Sequence, residues 1–216
     1  YDLLPKLPNA VGVAAAEDGD RAAMITNDGK AVRVRAFDAS SNVPEWTYTF
    51  APEFTAAGTR MVDISDDGSV VVAIGRDPVG AISRVVVLNG ADGSVLNSQD
   101  YTTNMPAIEL ARDGTRAVIT DAATARTVEV PGLTTAHQFS VSGQGGYARI
   151  SGDGKTVASG GFNLIAYRET SPGVWTNVHS SSLASHWLGN GIALSDDGQY
   201  MFMAAYNYAT GYLPLT

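Results

Sequence analysis

Arg60-Met61-Val62-Asp63-Ile64-Ser65-Asp66-Asp67-Gly68-Ser69-Val70-Val71-Val72-Ala73-Ile74 carries an alternating stretch through one tight turn into an unbroken apolar run. Alternation of apolar and polar residues predicts a half-buried strand over Arg60–Ser65, and the apolar run Val70–Ile74 predicts a strand covered on both faces. Asp67-Gly68 suits the turn between them. Glycine takes positive φ without steric cost, and aspartate hydrogen-bonds the neighbouring backbone. Further along, Ser83 to Leu88 predicts a third strand, Gly90-Ala91-Asp92-Gly93 a second turn and Ser94 to Tyr101 a fourth strand.

The turn recurs. Ala16-Glu17-Asp18-Gly19, Ala111-Arg112-Asp113-Gly114, Ser151-Gly152-Asp153-Gly154 and Ser195-Asp196-Asp197-Gly198 each sit between apolar runs, and the glycines step by 49, 46, 40 and 44 residues. A period near 45 with one Asp-Gly hairpin per unit predicts an all-β fold, a β-propeller of four-stranded antiparallel blades. The units fall near residues 11–50, 60–101, 106–141, 147–179 and 191–216. Four are complete. The fifth has two strands, Gly191–Ser195 and Tyr200–Ala204, and room for one more short one. The whole of 1–216 then reads as one propeller domain or a portion of a larger propeller. An open ring exposes two apolar faces, which leaves three expectations for closure. Tyr1–Ala10 completes the fifth blade, the chain is a piece of a longer propeller, or a second polypeptide supplies the missing blades.

Val86-Val87-Leu88-Asn89-Gly90-Ala91-Asp92-Gly93-Ser94-Val95-Leu96 resembles the outer half of quinoprotein-like (PQQ) and WD40-like blades, and Pro44-Glu45-Trp46-Thr47-Tyr48 resembles their outer-strand tryptophan segment. Ile64-Ser65-Asp66-Asp67-Gly68 and Leu194-Ser195-Asp196-Asp197-Gly198 resemble the inner hairpin of WD40-like, YVTN-type and lactonase-type propellers. The Gly-His and Trp-Asp dipeptides of WD40 repeats are missing. The resemblance implies an architecture and no particular activity.

Apolar residues make up 44% of the chain and charged residues 17%, enough to bury a core, and 23 glycines suit a turn-rich protein. A net charge of −8 repels phosphate backbones, so nucleic acid is not an expected partner. No apolar run is long enough for a membrane-spanning helix. With no cysteine, disulfides, thiolate metal sites and cysteine nucleophiles are ruled out. The chain starts at Tyr1 rather than Met, which leans towards an exported protein (periplasmic, cell-surface or secreted) or a piece of a longer one.

Asp63, Glu109 and Arg149 occupy comparable places just before the hairpins of units two, three and four, where they could ring a central channel and bind a polar ligand. The stretch from His179 to Asn190 reads as an irregular link carrying His179, His186 and Trp187. Tyr206, Tyr208 and Tyr212 form an aromatic group near the end. These six are candidate ligand or partner contacts on a rim loop and the C-terminal segment. His137 reads as a surface residue, and Trp46 and Trp175 as equivalent outer-strand residues that pack between neighbouring blades. The Asp-Gly turns read as turn chemistry rather than calcium sites, since no twelve-residue loop ending in Glu follows them. Gly143-Gln144-Gly145-Gly146 lacks the Lys-Ser/Thr of a phosphate loop. No catalytic or metal site and no cofactor is indicated. Three functions stay open: a non-enzymatic scaffold for protein–protein assembly, an enzyme of quinoprotein or lactonase type with a polar channel site, and a carbohydrate-binding propeller.

Overall fold

The computed structural model describes residues 9–17, 19–38, 40–41, 43–58, 60–105, 107–121, 123–141, 147–160, 163–182 and 191–203, and the backbone of 211–214. Every regular element among them is a β-strand. The first sheet holds β1 (Ala10–Ala15), β2 (Arg21–Asn27), β3 (Val32–Asp38) and β4 (Trp46–Thr49). The second holds β5 (Val62–Ile64), β6 (Val70–Asp77), β7 (Ile82–Asn89) and β8 (Val95–Tyr101). The third holds β9 (Ala107–Leu110), β10 (Arg116–Thr120), β11 (Thr124–Glu129) and β12 (Thr135–Ser140). The fourth holds β13 (Tyr147–Ile150), β14 (Thr156–Gly160), β15 (Asn163–Ser171) and β16 (Val174–Ser182), and the fifth β17 (Ile192–Leu194), β18 (Tyr200–Met203) and β19 (Gly211–Pro214). Strands follow chain order in every sheet and pair antiparallel. The expected four complete blades and part of a fifth are present.

The chain forms two compact units, Tyr1–Leu110 and Ala111–Thr216. In the first unit the middle strands carry the core. Val71 to Ile74 and Val85 to Leu88 are fully buried, as an unbroken branched apolar run requires. The outer strand β8 exposes Val95 and Leu96. Trp46 of β4 lies over Gly93, whose φ is +72° and where a Cβ would come within 2.6 Å of the indole. Glycine there serves both the turn and the ring. The indole Nε1 donates to the Gly90 carbonyl at 2.7 Å. In the second unit Ala111, Val118, Ala125, Phe139, Val141, Ala148, Ile150 and Val157 form one core, and Ala158, Leu164, Ala166, Ile192 and Met201 another.

The five recurrent turns are built alike. The glycine N–H donates to the carbonyl three residues back in each, at 2.9 to 3.0 Å (Gly19 to Ala16, Gly68 to Ser65, Gly114 to Ala111, Gly154 to Ser151, Gly198 to Ser195). Where serine opens the turn, its hydroxyl donates to the aspartate two residues on: Ser65 to Asp67, Ser151 to Asp153 and Ser195 to Asp197. The same serine oxygen accepts the N–H that starts the next strand, at Val70, Thr156 and Tyr200. Asp67 also takes the Ser69 N–H, and with the Ser65 hydroxyl this holds its carboxyl below the usual range.

An arginine ties neighbouring sheets at the same place within each unit. In the first, Arg21 at the start of β2 donates to the Gly68 carbonyl of the next sheet's turn at 3.4 Å and pairs with Glu45 at 3.1 Å. In the second, Arg116 at the start of β10 donates to the Gly154 carbonyl at 3.3 Å, and Arg168 of β15 donates to the Gly198 carbonyl. Arg116 also grips Glu169 with both guanidinium nitrogens and binds Glu129 at 3.0 Å. Glu169 comes first among the causes that raise the Arg116 pKa, and Arg116 in turn lowers that of Glu169.

Candidate functional site

The first strands of the five sheets present one column of residues two places before each turn: Ala14, Asp63, Glu109, Arg149 and Ala193. Asp63 of β5 accepts the Ile64 N–H at 3.0 Å and, with its other oxygen, the Leu110 N–H of β9 at 2.8 Å. Glu109 is half-buried on β9. In the second unit, Arg149 of β13 donates from Nε to the Ile192 carbonyl of β17 at 3.0 Å. The two charged side chains, of opposite sign, do the same work on opposite backbone groups. Each joins its own first strand to the first strand of the following sheet, and both partners are backbone groups that would otherwise lie unpaired at a sheet edge.

His179 stands in β16, opposite Ala166, and its Nε2 lies 3.1 Å from the Ser181 hydroxyl. The strand runs three residues further than the sequence suggests, so His179 belongs to a sheet rather than to a loop. Small serines at 180–182 can follow a pleat as readily as a linker. His186, Trp187, Tyr206 and Tyr208 lie outside the described residues, as do 143–146 and 1–8, and for Tyr212 only the backbone of β19 is described.

His137 departs from its reading as a surface group. It is half-buried, with its ring stacked on Trp175 at 5.0 Å and 8° and packed against Phe139 and Tyr167 at 5.7 and 4.7 Å. Its Nε2 and the Trp175 Nε1 are buried without a hydrogen-bond partner among the described residues. Desolvation lowers the His137 pKa, so the ring is neutral at neutral pH. The Arg116 guanidinium sits over the Trp175 ring at 5.7 Å. Trp175 is therefore no counterpart of Trp46. Both pack between sheets, but Trp46 reaches the following sheet and Trp175 the preceding one.

A second repeated device escaped the sequence reading. In the β2–β3 turn, Asp28 accepts the Lys30 and Ala31 N–H groups and pairs with Arg33 at 2.9 Å. In the β10–β11 turn, Asp121 accepts the Ala123 and Thr124 N–H groups and the Thr124 hydroxyl, and pairs with Arg126 at 3.1 Å. Burial pushes the Asp121 pKa up, but the hydrogen bonds and Arg126 outweigh it and leave the carboxyl below its ordinary value. The shared Asp-x-x-x-x-Arg spacing was the available signal. Among the described residues no three His, Asp or Glu side chains gather to hold a metal ion, and no helix is long and apolar enough to cross a membrane.

No protein-family model matches the chain, and no curated protein matches it in sequence. Solved structures do. The β-propeller domain of Myceliophteria thermophila Cps50 (Swd1) superposes with a TM-score of 0.61 at 11% identity, over 95% of this chain and 70% of that one. Kuenenia stuttgartiensis hydrazine synthase superposes with a TM-score of 0.61 at 14% identity, over 95% of this chain and 58% of that one. The chain thus spans under two thirds of the hydrazine synthase chain. Repeated four-stranded sheets in chain order, the same turn in each and these neighbours together identify the fold of this chain as a β-propeller.

Proposed function

We propose that the chain is a non-enzymatic propeller scaffold that mediates protein–protein interaction. One observation carries this. Val13 of β1 is 54% exposed, whereas its counterparts Val62, Ile108, Ala148 and Ile192 are 4 to 5% exposed. Phe202 of β18 is 38% exposed, whereas its counterparts Ala23, Val72, Val118 and Ala158 are 0 to 1% exposed. In the other sheets these columns are packed against a neighbouring sheet. Apolar side chains left in water at positions that the other sheets bury, as Val13 and Phe202 are, favour association. The backbone partners of Asp63 and Arg149 support the same reading, because they give the charged first-strand residues a use in holding sheets together.

Fluorescence of an apolar-surface dye tests it. Folded chain should enhance the dye, and Val13→Asp should reduce that signal while the circular dichroism stays unchanged. A folded chain that leaves the dye dark would overturn the proposal.

A further inference from the structure

β6 ends on an arginine set among buried neighbours. Val72, Ile74 and Arg76 alternate onto one face of the strand, and the first two are fully buried. Arg76 lies directly opposite Ser83 of β7, and Ser83 opposite Tyr101 of β8, so the three side chains form a row across that face. The backbone beneath the row is fixed: the Arg76 N–H donates to the Ala56 carbonyl at 2.9 Å, and the Ala56 N–H to the Arg76 carbonyl at 3.1 Å. Ser83 is fully buried. Its hydroxyl donates to the Thr103 carbonyl at 2.8 Å and accepts the Met105 N–H at 2.9 Å. Those two bonds draw the 103–105 segment onto the row, with the Thr103 hydroxyl buried and without a hydrogen-bond partner among the described residues.

Arg76 is half-buried, and no carboxylate pairs with it among the described residues. Arg21, Arg33 and Arg84 of the same unit each hold a carboxylate within 3.1 Å. The electrostatics follow. Asp100 raises the pKa of Arg84, whereas desolvation lowers that of Arg76. Taking a guanidinium out of water without an anion costs stability, and the same desolvation strengthens its attraction for an anion that arrives. Asp77, next along the chain, alternates onto the opposite face and accepts the Val79 N–H at 2.9 Å. We propose that Arg76 anchors a binding site for a small organic carboxylate, with the Thr103 hydroxyl as a second donor. The planar fork of the guanidinium matches the two oxygens of a carboxylate. One guanidinium balances the single charge of a carboxylate but only half that of a phosphate dianion, and a net charge of −8 disfavours the surplus. The site goes beyond the scaffold reading and does not depend on it.

Nuclear magnetic resonance titration of the whole chain with acetate, at fixed ionic strength, is the test. The amide signals of Arg76, Ser83 and Thr103 should shift saturably, with half-saturation at about 1–10 mM. Arg76→Gln should abolish the saturable shifts. Arg76→Lys, which keeps the charge and loses the fork, should weaken binding several-fold, and so should Thr103→Val. Arg33→Gln should bind as wild type does. Thermal unfolding separates this role from a structural one. Without acetate, Arg76→Met should unfold at or above the wild-type temperature, because no internal ion pair is broken, and acetate should raise the wild-type temperature alone. Acetate shifts that stay linear, or that survive in Arg76→Gln, overturn the inference. So does phosphate that saturates the same amides at a lower concentration than acetate, and so does an Arg76→Met chain that unfolds well below wild type.

Discussion

Trp46 and Trp175 occupy outer strands of two similar sheets, yet they are held in different ways. Trp46 spends its one N–H on the Gly90 carbonyl and lays its ring on a glycine that leaves room for it. Trp175 finds no acceptor for its N–H among the described residues and gains its place by stacking on His137 beneath the Arg116 guanidinium. An outer-strand tryptophan therefore need not lie at the same place or on the same face in two similar sheets. What stays constant near both tryptophans is the arginine on the next turn glycine. That contact needs only a backbone carbonyl, which every blade has whatever its side chains.

The contrast can be broken by truncation. Trp46→Ala should cost about 3–5 kcal/mol, as for large aromatic residues removed from a core, measured by urea unfolding. Trp46→Phe should still cost about 1–3 kcal/mol because the Gly90 carbonyl loses its donor, whereas Trp175→Phe should cost under about 1 kcal/mol. Equal losses for the two Phe variants would mean that the Gly90 hydrogen bond contributes little.

Arginine removal comes next in size. Arg116→Met leaves Glu169, 9% exposed at its side chain, without its guanidinium, and should cost about 2–3 kcal/mol. Arg21→Met breaks a pair about 30% exposed on both sides, and should cost under about 1 kcal/mol. Parallel denaturation of the two variants checks the order.

Acid sharpens the difference between the tryptophan sites. His137 has a folded pKa below its ordinary 6.5, so below pH 6.5 the unfolded chain binds a proton that the folded chain does not. Its stability contribution is intact above that pH and falls as pH drops towards the folded pKa. His137→Phe should flatten the loss of stability just below pH 6.5. Asp67, Asp121 and Glu169, whose folded values also lie low, should continue to lose stability below about pH 4 in both proteins.

The smallest effect concerns the turns. Ser65 is fully buried and Ser195 is not. Ser65→Ala should cost about 1–2 kcal/mol and Ser195→Ala under about 0.5 kcal/mol by thermal unfolding, because water can replace the hydroxyl only at the second.

Much of the strand order was legible along the chain. The period of the Asp-Gly turns is local chemistry, and each turn sets its own glycine φ and aspartate hydrogen bonds. The expected strands agree with the observed ones to within a few residues, the largest departure being β16, where serines carry no signal for strand or loop. The candidate site was less legible. Asp63 and Arg149 were recognisable as one column, but their partners are the backbone of Leu110 and Ile192, more than 40 residues away. Nothing in an N–H or a carbonyl marks it in sequence as the partner of a given side chain. His137 was misread for the same reason: one histidine on an alternating strand has no pattern of its own, and its burial comes from Tyr167 and Trp175 of the next sheet.

By itself, then, the sequence determined the repeat, the hairpins and the apolar middle strands, because periodicity and turn propensity act over a few residues. The tertiary structure alone decided which side chains bridge sheets, which rings stack on one another, and that Val13 and Phe202 stay exposed where their counterparts are buried. Those depend on what a neighbouring sheet places within 4 Å, and neighbours in space are about one repeat apart along the chain.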